Sequence, residues 1–260
     1  MIVVCWKWVT AGDERWSGVS DADRAALEVG LRLAETSSTS VTVATVGPPA
    51  AEHGLREAIA AGAADAIRIE APDGLASDAV AVALAAVAAD ASWIVCGDAS
   101  ADRGTGAVPA FLAAELGVAQ ALGLIGVTPD ERTVRATRRL DGGRREILDV
   151  TTPAVLSVEG SVARLRRASL RAELTARSAA ILQVAGPPAT AAHAESHDVQ
   201  PYRPRARAFA APAGVALDRV RLLTDVAGGP APHAELVVLD PPAAAERILA
   251  ALAEWGYLSP

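Results

Sequence analysis

In the first 116 residues of this chain, four short apolar runs alternate with four longer segments of helical periodicity. That alternation limits the fold more tightly than any single motif. Residues 2–9 read I-V-V-C-W-K-W-V, apolar at nearly every position. A strand with no polar face has to be buried on both sides, as in a parallel sheet. A helix is expected over 21–35, capped by Ser20 or Asp21, with Leu27, Leu31 and the aliphatic stem of Arg32 along it. Strands at 41–46, 66–70 and 93–96 and helices at 52–61, 75–90 and 108–116 complete the series. Strand–helix repeats of this kind predict an α/β fold: a parallel, doubly wound, flavodoxin-like sheet with helices on both faces.

After Gly117 the pattern changes to short strands at 125–127, 133–139, 147–150 and 154–158, with Asp141-Gly142-Gly143 as the turn of a hairpin. A short helix or turn at 169–177 and a strand at 181–184 close a core spanning 1–185. Residues 186–215, rich in Pro, Ala and polar residues, read as a linker or arm. The segment 216–260 holds two extended stretches, 220–226 and 235–239, and a helix over 242–255 with Ala245, Ile248, Leu249 and Leu252 on one face. An arm of this length carrying a terminal helix is suited to packing on a partner.

Composition narrows the function. The formal net charge is −7, which argues against a nucleic-acid partner. Lys7 is the sole lysine; arginine supplies the other cations, a mark of high-GC coding. No run approaches the roughly 18 apolar residues of a membrane span. The chain opens on an apolar strand with no charged leader, so a cytoplasmic protein without direct membrane insertion is expected. Cys5 and Cys96 are the two cysteines, each on an expected strand, and read as buried free thiols. His193 and His197 sit in the expected linker and read as solvated; no metal-binding spacing occurs. No Ser-His-Asp, paired-carboxylate or metal constellation appears, so no catalytic residue is assigned.

Ligands of open parallel sheets bind beyond the carboxyl ends of the strands. Cys5 and Lys7, Val46 and Gly47, and the polar loop 97–106 all fall at such ends. Within that loop Gly104, Thr105 and Gly106 let backbone N–H groups approach a phosphate. The helix starting near Ala107 turns its positive end to the same place. Thr105 offers a hydroxyl and Arg103 a guanidinium.

The stretch A-T-R-R-L-D-G-G-R-R-E-I-L-D-V-T-T-P-A-V-L-S, residues 136–157, resembles the signature of the electron transfer flavoprotein β-subunit family. Ala136, Arg138, Asp141, Gly142, Gly143, Glu146, Leu148, Pro153, Val155 and Leu156 fill its slots, and Ser157 departs from the usual Thr, Ala or Cys. The resemblance runs through most of residues 1–184. Lys7 falls on the lysine of the first strand, G-L-R-L at 30–33 resembles A-x-R-L, and L-R-E-A-I-A-A-G-A-A-D at 55–65 resembles L-R-x-A-L-A-M-G-A-D. G-D-A-S-A-D-R-G-T-G-A-V at 97–108 aligns without gaps on the bacterial G-K-Q-A-I-D-G-D-T-G-Q-V.

The resemblance implies a heterodimer with an α-subunit that carries most of one FAD. It implies AMP, or a second FAD, in the β-subunit's own cleft. Electrons would come from a flavin dehydrogenase and leave to a quinone reductase or similar acceptor. Cys5, Lys7, Ser20, Val46, Gly47, Asp102, Arg103, Gly104, Thr105 and Gly106 are the nucleotide-site residues so implied, and Arg166 and Leu170 the partner-docking ones. Leu170 falls on the leucine that members use to anchor dehydrogenases. Departures are Ser20 for an asparagine, Ala107 for a glutamine, a short first loop, and V-A-R-L-R-R at 162–167 in place of N-E-P-R-Y. They resemble those of high-GC actinobacterial, mycofactocin-associated members.

Two other readings share the fold. A stand-alone nucleotide-binding module of the universal-stress type would carry a long glycine-spaced phosphate loop ending in Gly-Ser or Gly-Thr, which is absent. An ATP-pyrophosphatase would carry S-G-G-x-D-S after the first strand, where this chain has V-T-A-G-D at 9–13.

Overall fold

The computed structural model describes residues 1–10, 17–130, 132–186, 214–223 and 237–257. The chain divides into two compact units, Met1–Asp198 and Val199–Pro260. In the first, β1 (Ile2–Cys5) leads to a small antiparallel pair, β2 (Trp8–Val9) with β3 (Gly18–Val19). There follow α1 (Asp21–Ser37), β4 (Val41–Gly47), α2 (Glu52–Ala61), β5 (Asp65–Glu70), α3 (Ser77–Ala88), β6 (Trp93–Gly97) and α4 (Val108–Leu116). Next come β7 (Ala119–Pro129), β8 (Thr133–Arg139), β9 (Arg145–Thr151), β10 (Ala154–Val158), α5 (Leu170–Ala176) and β11 (Leu182–Val184).

Nine strands form one sheet in the order β11-β5-β4-β1-β6-β10-β7-β8-β9. All neighbours from β11 to β7 pair in parallel, and β8 and β9 extend the sheet antiparallel as a hairpin. Side chains of β1 alternate between two cores. Ile2 and Val4 join a cluster with Leu27, Leu33, Leu55 and Ala58 of α1 and α2; Val3 and Cys5 join Leu84, Ala88 and Leu112 of α3 and α4. Burial on both faces is why the first run carries no polar alternation.

The expected fold class holds, with local corrections. Residues 2–9 are not one strand: β1 ends at Cys5, and Trp8–Val9 turns out to pair with β3. Leu33, not Arg32, completes the buried stripe of α1; Arg32 is exposed. The strand expected at 125–127 is the end of an eleven-residue β7. Its first half, A-Q-A-L-G-L, has weak strand propensity and gains its pairing from β10. A bulge interrupts that pairing where Gly123 takes φ +65° and its N–H donates to Ser157 Oγ at 2.9 Å. The serine that departs from the family signature thus serves the bulge.

In the second unit, α6 (Ala216–Leu223) stands where residues 220–226 were expected to be extended. The good helix formers Ala216, Leu217, Arg219 and Arg221 outweigh the single β-branched Val220. Residues 237–239 have no regular structure, and 235, 236 and 224–226 lie outside the described residues. α7 (Pro241–Glu254) starts one residue before expectation, capped by Asp240, and its Ile248 and Leu249 are exposed. The expected arm at 186–215, with His193 and His197, lies almost wholly outside the described residues. No helix among the described residues is long and apolar enough to cross a membrane.

Candidate functional site

The chain runs outward from β1 through β4 to β5 on one side and turns to β6 on the other. The strand order therefore reverses between β1 and β6, and a crevice opens beyond their carboxyl ends. A cavity of ≈ 110 Å³ lies there, lined from β1 by Cys5, Trp6 and Lys7, from β4 by Ala44, Thr45 and Val46, and from β6 onward by Cys96, Gly97, Asp98, Ser100, Arg103, Thr105 and Gly106. Of the expected nucleotide-site residues, Cys5, Lys7, Val46, Arg103, Thr105 and Gly106 line it directly.

The other four stand one step behind. Ser20 caps α1, accepting from Asp23 N at 3.1 Å, and its hydroxyl donates to Asp23 Oδ2 at 2.9 Å. The Gly47 carbonyl is taken by the buried Arg68 guanidinium, which also reaches Glu52 and so fixes the end of β4 to α2. Asp102 accepts from Lys7 Nζ at 2.7 and 2.8 Å, and Lys7 also touches Ser100 Oγ at 3.3 Å. Burial works against the Asp102 charge, but the Lys7 and Ser100 hydrogen bonds prevail and hold its carboxyl well below the usual range. Gly104 N donates to Ser100 O at 3.1 Å, closing a turn of the loop.

Two glycines are required by close approach. A Cβ at Gly106, which has φ +59°, would lie 2.5 Å from Asp98 O. A Cβ at Gly97 would lie 2.9 Å from both Asp23 N and Asp23 Oδ1. Together they let the loop fold tightly over the end of β6 and let α1 press against it. α4 begins next to the cavity, with Ala107, Val108 and Pro109 on its wall and no side-chain cap on its first turn. Unpaired N–H groups at a helix N-terminus attract an anion. Arg103 crosses the mouth, donating to Gly74 O at 2.5 Å and Leu75 O at 3.2 Å. Leu75, Val80 and Leu84 supply an apolar wall, and Ser77 a hydroxyl.

Asp23 is the most deeply buried charged residue of the lining, and sequence reading missed it, as it did Thr45, Ser77 and the apolar wall of Leu75, Val80 and Leu84. Burial pushes the Asp23 carboxyl up from 3.8 to about 7, opposed by the Ser20 hydroxyl, the Lys7 charge and the Gly97 and Lys7 backbone N–H groups. Those hydrogen bonds tie α1 to the ends of β1 and β6. The S-x-x-D spacing of Ser20 and Asp23 was the available signal, since it is a capping box. Across the loop, burial first and then the charge of Glu159 raise Asp98.

The expected docking residues lie apart from the cleft. Arg166 packs on α1, its guanidinium 3.0 Å from Glu28 and 2.6 Å from Glu35, and its backbone N–H also donates to Glu28. Burial opposes the charge of Glu28, and hydrogen bonds from Arg166 and Arg32 more than offset it, lowering its pKa. Leu170 opens α5 and is 71% exposed; Leu174, one turn on, is 52% exposed. The described residues hold no group of three or more His, Cys, Asp or Glu side chains that could bind a metal ion.

Residues 8–189 match the electron transfer flavoprotein domain family. The chain is 31% identical over 146 residues to the acryloyl-CoA reductase electron transfer subunit gamma of Anaerotignum propionicum, covering 54% of each chain. It is 29% identical over 177 residues to protein FixA of Bradyrhizobium diazoefficiens, covering 64% of this chain and 61% of that one. The electron transfer flavoprotein subunit beta of Mycobacterium bovis is 29% identical over 170 residues, covering 61% of this chain and 63% of its own. The matched part thus spans less than two thirds of each of these relatives. The match over residues 8–189 covers well over half of this chain, which belongs to the electron transfer flavoprotein domain family as a member similar to its β-subunits.

Proposed function

We propose that this chain is the β-type subunit of an electron transfer flavoprotein. In that reading it pairs with an α-subunit that carries most of one FAD, and the cytoplasmic complex takes electrons from a flavin dehydrogenase and passes them to a quinone reductase or other respiratory acceptor. FAD, when bound, supplies the one-electron chemistry. The chain itself acts as a carrier subunit rather than an enzyme, and its own cleft holds AMP or a second FAD.

The observation that carries this reading is the cleft at the β1/β6 reversal, in a chain of this family, with an uncapped α4 N-terminus and two glycines at its wall. The donor set fits a phosphate. The loop amides and α4 N-terminus present positive ends, Lys7 and Arg103 add charge, and Leu75, Val80 and Leu84 form a wall suited to a base. The cavity of ≈ 110 Å³ is smaller than the roughly 300–1,000 Å³ of common ligand sites. A nucleotide would enter by widening the cleft, and the Lys7–Asp102 pair and the Arg103 bonds to the Gly74 and Leu75 carbonyls are the contacts at its wall that can open. Both contacts are solvent-accessible and exchange at small cost. Apart from the cleft lining, Leu170 and Leu174 on α5, flanked in sequence by Arg167 and Arg171, form an apolar tip in a basic surround. Such a surface suits a transient dehydrogenase complex with fast encounter and fast release.

Co-expression with an α-subunit encoded beside it tests the reading. The co-purified complex is expected to be yellow with FAD, and this chain alone colourless or poorly soluble. A yellow, stoichiometrically flavinylated monomer would overturn it.

A further inference from the structure

The floor of the cleft carries two thiols that the proposed nucleotide site does not use for binding phosphate. The parallel register that pairs Val4 with Val95 sets Cys5 beside Cys96, on the same face of adjacent strands. Both are free, buried thiols, and both line the cavity. Neighbouring strands lie about 4.8 Å apart, within the Cα separation of about 4.4–6.8 Å that a disulfide spans. Cys5 is 9% exposed and Cys96 3%. The neighbouring Cys5 thiol, then burial, push the Cys96 thiol up, so Cys96 is the slower of the two to react. Cys5 is then the sulfur that an oxidant entering the cleft meets first.

We propose that Cys5 and Cys96 are a reversible dithiol–disulfide pair, oxidised by a peroxide entering the empty cleft and shielded when a ligand fills it. The bond changes balance. Cys5 sulfur attacks hydrogen peroxide; the O–O bond breaks, one water leaves, and Cys5 becomes a sulfenic acid. Cys96 then gives up its proton and attacks the Cys5 sulfur as the thiolate; the S–O bond breaks, the leaving hydroxide takes up that proton as a second water, and the S–S bond forms. Two thiols have lost two electrons and two protons to one peroxide. A disulfide in this place would staple β1 to β6 where the strand order reverses, at the base of the cleft. A thiol reductant reverses it. A cytoplasmic disulfide of this kind is transient and redox-sensing rather than structural. The shielding clause rests on the proposed nucleotide site; the pairing does not.

The chain has two cysteines, so an intramolecular disulfide has one connectivity. The test treats the full chain with hydrogen peroxide, denatures it, alkylates free thiols and weighs the intact protein, with and without AMP. The expected product of the AMP-free sample is lighter by two hydrogen atoms, takes up no alkyl group, and returns to two alkylatable thiols after dithiothreitol. Cys96→Ser should instead trap the Cys5 sulfenic acid, detected by dimedone. Two alkylatable thiols after peroxide, or oxygen addition without the loss of two hydrogens, would overturn the pairing whatever AMP does. Disulfide formation that AMP does not slow leaves the pairing standing and removes the shielding. Calorimetric titration of the reduced chain with AMP then decides whether the nucleotide site itself has failed.

Discussion

The cleft, read from the strand ends as well as from the family resemblance, and the α5 rim, read from the resemblance alone, are built in opposite ways. At the cleft the decisive groups are buried or belong to the backbone. Asp23 is 6% exposed, Gly97 and Gly106 leave no room for a Cβ, which would lie 2.9 and 2.5 Å from neighbouring atoms, and the α4 N-terminus presents main-chain donors. At the rim they are side chains in water, with Leu170 71% exposed. Arg166 shares the rim by sequence, but its exposed side chain is held against α1 by the buried Glu28 and by Glu35. Sequence adjacency joined Arg166 and Leu170 as one docking element; geometry divides them into a clamp and a tip. Substitutions should therefore disturb folding at the cleft and the clamp, and function alone at the tip.

The largest expected effect concerns Asp23. Its carboxyl rises from 3.8 to about 7 in the folded chain, so the native state holds a proton that the unfolded state releases. The associated stability is fully present below pH 3.8 and is lost as pH rises through about 7. The loss amounts to about 4 kcal/mol. Urea unfolding across that window should show the slope, and Asp23→Asn should flatten it whatever its absolute stability. An unchanged slope in Asp23→Asn would assign the pH dependence to another group.

Next is Arg166→Glu, which sets a third carboxylate against Glu28 and Glu35. Glu28 is 7% exposed but Arg166 is 37% exposed, so the cost falls between that of a surface pair and a buried one, about 2 kcal/mol. The melting temperature should fall accordingly, before any assay of docking. A variant as stable as the parent would restore Arg166 to the tip.

Gly106→Ala is expected to cost about 2 kcal/mol, because a side chain at positive φ is strained and the Cβ meets Asp98 O. AMP binding by calorimetry should vanish while FAD content of the complex is kept. Retained AMP affinity would place the phosphate away from this loop.

The smallest effect on stability is expected for Leu170→Ala, within about 0.5 kcal/mol for so exposed a side chain. Stopped-flow reduction by the partner dehydrogenase should nevertheless slow, with reduction by dithionite unchanged. An unaltered rate would leave α5 as a plain solvated helix.

The sheet was legible because buried parallel strands leave unbroken apolar runs, as in I-V-V-C and W-I-V-C at the starts of β1 and β6. The glycine loop was legible for the same reason of shape, since G-T-G at 104–106 allows backbone conformations that other residues resist. What escaped was pairing at a distance. Nothing local in W-K-W-V says that Trp8 leaves the main sheet to pair with Val19, or that Lys7 meets Asp102 across 95 positions. The pairing of the exposed Arg166 with Glu28 was not legible, because the two lie 138 residues apart. Asp23 was missed despite its capping-box spacing, because burial of a capping residue at a sheet end depends on which strands adjoin it.

The central claim is that the cleft between β1 and β6 holds an adenine nucleotide of its own, separate from the flavin on the partner. Extraction of the purified complex with its α-subunit, followed by mass spectrometry and nucleotide quantitation, tests it most directly. The account predicts one FAD together with one further adenine nucleotide, AMP or a second FAD, and loss of that second nucleotide alone in Gly106→Ala. One FAD per complex with no other nucleotide would contradict it.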